Sequence, residues 1–205
     1  MENNKEMTAR ESLALITETM NNNRKDIIFR SGKHFILWGV LLTLFSLAVF
    51  ILWRATGHAQ WNFLWFVMPA VGFPLAHLLD RKKDADLPEN VFSRILSSIW
   101  LSFCIFSVSV AVFTVLYVSV NPNPIGTIAV GASLTAQIVL LFGMALTISG
   151  FVVKNWPVIV AGFVTGIGGL AIYYIVDLGA AQMLIFTFAG VVLALTGVII
   201  KNLRR

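Results

Sequence analysis

His34 and His77 are the first residues in this chain whose type and placement suit chemistry. Each adjoins a long apolar run. If those two runs cross a membrane antiparallel, both imidazoles fall near the same membrane face. Two imidazoles at equal depth on adjacent helices could hold a metal or a haem. Set against that reading, an interfacial histidine that is hydrogen-bonded to its surroundings needs no ligand at all. His58 lies in the opposite loop and cannot join the pair. A second set is polar: Ser98, Ser102 and Ser109 fall within about 40° of one another at 3.6 residues per turn. Gln137 follows in a later run with Ser133, Thr135 and Thr147. Ser98, Ser102, Ser109 and Gln137 could line a polar cavity, although hydroxyl residues also mediate ordinary helix contacts in membranes.

Other chemistry is hard to find. Cys104 is the only cysteine, which excludes a disulfide within the chain and a thiolate-rich metal site; inside an apolar run it reads as a small packing residue. There is no glycine-rich phosphate loop, no HExxH spacing and no set of Ser, His and acid suited to nucleophilic catalysis. No Asp, Glu, Lys or Arg falls near the middle of an apolar run, which argues against a proton- or ion-coupled pump. The expectation is a chain without catalysis, cofactor or metal of its own.

The elements that place these residues follow from composition. The 205 residues are 58% hydrophobic and only 12% charged, far from the balance of a soluble domain. Long continuous apolar runs select membrane helices over barrel strands, which would alternate. Six spans are expected, over about 35–53, 61–79, 95–120, 126–153, 156–176 and 182–200, with 1–34 as a separate tail and 35–205 as the membrane domain. The third helix starts earlier, near Leu87, where Asp86 and Glu89 form a capping box. Pro69 and Pro74 sit inside the second span. "NPNP" at Asn121 to Pro124 forces a turn. Lys154-Asn155 is the whole connection between spans four and five, with Pro157 fitting the first turn of a new helix.

Basic residues in short loops set the orientation. With six spans, 14 of the 15 Lys and Arg fall on one side and only Arg54 on the other, so both termini are expected in the cytoplasm. The net charge of +5 then reflects topology, and the absence of a basic stripe with stacking aromatics disfavours nucleic acid. "GFVVKN" at Gly150 to Asn155 and "GVIIKN" at Gly197 to Asn202 both mark cytoplasmic helix ends, where lysine reaches the headgroups. Their likeness hints at duplication, parallel in sense because spans four and six run the same way, but six residues at a shared depth also converge easily. Gly162 and Gly166 form a GxxxG step, which points to close helix packing within the bundle or in a dimer. Asp177 and Arg54 could pair across the outer face. Trp53, Trp61, Tyr173 and Tyr174 read as outer interfacial anchors, and Trp38, Trp100 and Trp156 as inner ones.

The tail has its own pattern. Thr8 to Glu11 reads as a capping box, and Leu13, Ile16, Met20 and Ile27 fall near one helical face, so an amphipathic cytoplasmic helix is expected despite Asn21 to Asn23. The order of an "ESLALI" tail helix, "FILWG" entering span one, a proline-bearing span two ending in "DRKK" and the "SGFVVKNWPVIVAG" link resembles a group of small six-helix bacterial inner-membrane proteins of unknown function. The resemblance covers almost the whole chain and implies fold and topology, but no functional residue. The functional expectation is a non-catalytic scaffold or regulator in the bacterial inner membrane, acting through a cytoplasmic protein partner or as a homodimer. The competing reading is a transporter or binding protein for a small molecule or lipid, with a polar cavity between helices three and four.

Overall fold

The computed structural model describes residues 9–80, 91–120, 124–176 and 179–202. Thr8, the Asp86–Glu89 box and Asp177, assigned above to caps and an ion pair, lie outside them. Among the described residues the chain is all-helical, and six helices are long and apolar enough to cross a membrane.

α1 runs unbroken from Ala9 to Thr56, 48 residues. No element boundary separates tail from span at residue 34. The asparagines at 21–23 do not break it, because Asn lowers helix propensity by only about 0.7 kcal/mol per residue, and no proline intervenes before Thr56. Gly57, at φ +74°, ends the helix, and its N–H bonds the Trp53 carbonyl at 2.8 Å. A short 3-10 turn, Ala59–Phe63, leads into α2, Leu64–Asp80, which tolerates Pro69 and Pro74 inside it. α3 is Val91–Val120 and α4 is Pro124–Val153, so the last proline of NPNP starts a helix where its missing N–H is no loss.

The connection after α4 follows from the backbone. Lys154 adopts φ +50°, its N–H bonds Phe151 O at 3.1 Å, and the Asn155 N–H bonds Gly150 O at 2.9 Å, a Schellman close with lysine in the left-handed position. Asn155 Oδ1 then accepts from Val158 N at 3.2 Å and caps the next helix. That helix, α5, spans Trp156–Tyr173 and contains one π turn, Val164–Gly168. A 3-10 turn at Ala180–Gln182 precedes α6, Met183–Asn202.

Two kinds of packing divide the bundle. α1, α4, α5 and α6 meet through glycine. A Cβ on Gly39 would stand 2.5 Å from Ala194 N, and one on Gly190 would stand 2.5 Å from Thr43 Oγ1, so backbones there approach as closely as sterics permit. Leu146, Val158, Ala161, Leu193 and Ile200 form the buried apolar cluster between α4, α5 and α6. α2 and α3 are attached instead by rings. Trp38 meets Phe73 edge-on at 5.4 Å, Trp65 meets Phe186 at 5.2 Å, and Phe142 meets Trp100 and Phe103, each at 5.7 Å. Trp38 and Trp100 therefore hold helices together, whereas Trp156 is exposed.

Candidate functional site

His34 is half-buried on α1 and His77 is exposed on α2. His34 precedes Trp38 by one turn and His77 follows Phe73 by one turn, so the antiparallel register puts both on the same side of that ring pair. Among the described residues, no three of His, Cys, Asp and Glu gather where a metal ion could sit.

The three serines do not meet Gln137. Trp100 and Phe103 define the face of α3 that packs on α4. Ser109, nine residues beyond Trp100, lies about 180° from it, and Ser98 and Ser102 fall close to the same outer line. Their hydroxyls bond the carbonyls four residues back: Ser98 to Arg94 at 2.9 Å, Ser102 to Ser98 at 2.8 Å and Ser109 to Ile105 at 2.8 Å. That is the usual way a hydroxyl is satisfied when it faces lipid. Gln137 instead lines an open groove of about 630 Å³ between α3 and α4, with Val110, Phe113, Thr114 and Tyr117. The groove wall is mostly apolar, and Gln137 is the only one of the four residues in it. Gly162 packs on Thr147 and Gly166 on Gly143, both across the α4–α5 crossing.

Apart from Thr135 and Thr147, the buried polar groups are ones that sequence pattern did not single out. Ser46 on α1 and Thr187 on α6 share a hydrogen bond of 2.9 Å. Thr135 on α4 donates to Gln182 Oε1 at 3.4 Å. Gln182 Nε2 and Thr165 Oγ1, in residues 4% and 0% exposed, have no partner among the described residues; neither has Ser107 Oγ, on the α4-facing side of α3. Thr165 sits in the π turn, where the backbone departs from the i−4 ladder that satisfies the other hydroxyls. One signal was available for Thr165: it lies inside "GFVTGIGG", a stretch so thinned of side chains that its helix had to be buried.

These polar pairs join helices two at a time. None sets a nucleophile beside a base, and none converges on a common point. Six apolar helices in one bundle make this a multi-pass helical membrane protein. In comparisons with models of protein families, with curated proteins and with solved structures, the chain matches none.

Proposed function

We propose that the protein is a non-catalytic scaffold or regulator of the bacterial inner membrane, with both termini in the cytoplasm, that acts through its N-terminal helix on a protein partner. One observation carries the reading. α1 extends 22 residues ahead of Ser31, where its apolar span begins, and there it presents Leu13 and Met20, 65% and 50% exposed. Lipid explains exposed apolar side chains within a span; it does not explain them on a helix that continues beyond one. The clustering of basic residues supports the cytoplasmic orientation. The test is a photo-crosslinking residue placed at position 13 or 20 in cells. A discrete protein adduct, lost in Leu13→Ser/Met20→Ser when the probe sits at Thr17, supports the reading; adducts to lipid alone refute it.

The groove between α3 and α4 favours a second reading, a lipid or small-molecule site in which Gln137, Thr114 and Tyr117 supply the polar contacts. Native mass spectrometry with an absorption spectrum on gently purified protein tests it. A reproducible bound molecule, released by Gln137→Leu, supports the groove, and a bare chain removes it.

A further inference from the structure

The α4–α5 and α6–α1 crossings are built from the same parts, small residues and one threonine each, with the threonine on α4 in the first and on α1, not α6, in the second. At the first, Gly143 of α4 abuts Gly166 and Thr147 abuts Gly162. At the second, Gly190 of α6 abuts Thr43 and Ala194 abuts Gly39. Each threonine hydroxyl bonds the carbonyl of the glycine one turn before it, Thr147 to Gly143 and Thr43 to Gly39, both at 2.8 Å.

The match continues towards the Lys-Asn ends. Gly150 lies against Ile159, and Gly197 against Ile36. Beyond them, the Asn155 N–H reaches Gly150 O at 2.9 Å, while a Cβ on Gly32 would stand 3.3 Å from Gly197 O. Between α4 and α6 every equivalence has the same offset, 47 residues (143 to 190, 147 to 194, 150 to 197). Between α1 and α5 the offset is also constant, 123 residues (32 to 155, 36 to 159, 39 to 162, 43 to 166). The sequences agree: "GMALTISGFVVKN" from Gly143 and "GVVLALTGVIIKN" from Gly190 share both glycines, Leu146 with Leu193, Ser149 with Thr196, and Lys-Asn.

We infer that α4–α5 and α6–α1 are two copies of one helix-pair unit in permuted order, so that α1 stands beside α6 as α5 stands beside α4. A common membrane depth can account for two Lys-Asn endings. It does not account for the two glycines, Leu146 with Leu193 and Ser149 with Thr196, which keep one spacing ahead of those endings, the glycines at the positions where each crossing is made. α6 thus offers a docking surface of the same kind as α4, and its partner arrives from the far end of the chain instead of across a two-residue turn.

The test exchanges the differences between the copies in the full-length protein. Thr43→Gly/Ala194→Thr gives the α6–α1 crossing the side chains of α4–α5: the new hydroxyl would bond Gly190 O and rest on Gly39, as Thr147 bonds Gly143 O and rests on Gly162. Gly166→Thr/Thr147→Ala makes the reciprocal change. The measurement is the unfolding midpoint of each purified variant in mixed micelles of rising SDS fraction, with Gly39→Ala as the disrupted reference. Both exchanges are expected to unfold with the parent protein. If either one falls to the Gly39→Ala midpoint or below, or does not fold, the crossings are not equivalent and the inference is overturned.

Discussion

Replacing Gly39 by alanine adds one methyl group at the α1–α6 crossing. Its carbon would lie 2.5 Å from Ala194 N, 2.6 Å from Gly190 O and 2.9 Å from Ala194 Cα. All three are backbone atoms, so no rotamer change can relieve the contact. Carbon needs about 3.5 Å, so the two helices must part by roughly 1 Å along their closest line. A gap of that size forfeits about a quarter to a half of the attraction between the atoms it separates. Overpacking of this kind costs about 1–3 kcal/mol. Alanine's better helix propensity offsets little of that, because helices remain formed when membrane proteins come apart. The expected loss is about 2 kcal/mol, or roughly 30-fold in the folding equilibrium. Gly168→Ala supplies the control: its Cβ would meet only the Phe188 ring, at 3.4 and 3.5 Å, which is ordinary contact. In an SDS-fraction titration Gly39→Ala should unfold early and Gly168→Ala alongside the parent. Equal midpoints for the two would refute the argument that backbone approach at α1–α6 holds the bundle.

Thr165→Val should raise stability by about 1–3 kcal/mol in the same titration, since it removes a buried hydroxyl that lacks a partner among the described residues and keeps the shape. Lys154→Gly should add about 1 kcal/mol by relieving the positive φ, whereas Asn155→Ala should lose about 1 kcal/mol with the cap on Val158; a stabilised Asn155→Ala protein would refute the capping role. Trp100→Ala removes one edge-on ring contact from α3 to α4, that with Phe142, worth about 0.5–1.5 kcal/mol. It should loosen α3 before the rest, read as faster thiol labelling of a cysteine placed at Ser107 in a background without Cys104.

The six spans were legible because hydropathy and length decide them, and Lys154-Asn155 was legible as a turn because nothing else interrupts that apolar stretch. Pattern set the tail apart from the first span at residue 34, whereas α1 runs through that point, since a helix with no proline or cap to end it continues. It also grouped Ser98, Ser102 and Ser109 correctly on one face but could not say which way the face points. That was decided by Trp100 and Phe103 finding Phe142 on the other side of α3. Ser46 with Thr187, and Thr135 with Gln182, depend on which spans are neighbours, and hydropathy carries no information about neighbours. The short Lys-Asn phrase pointed towards a repeat, but its second half, α1 standing in for α5, shows only when the glycine contacts are compared in space.

At about 1.5 Å per residue α1 is close to 70 Å long, and it has no joint between Ala9 and Thr56. A rod without a hinge cannot absorb a push at one end by bending in the middle. Any load taken up near Leu13 travels down the axis as a shift or a twist of the whole helix. Among the described residues, Ile28 packs on the buried apolar cluster and Gly32 lies against Gly197 and Ile200 in the last turns of α6. That seam closes the bundle without a covalent turn, so it is also where a force on the N-terminal helix would be felt as sliding between two helices.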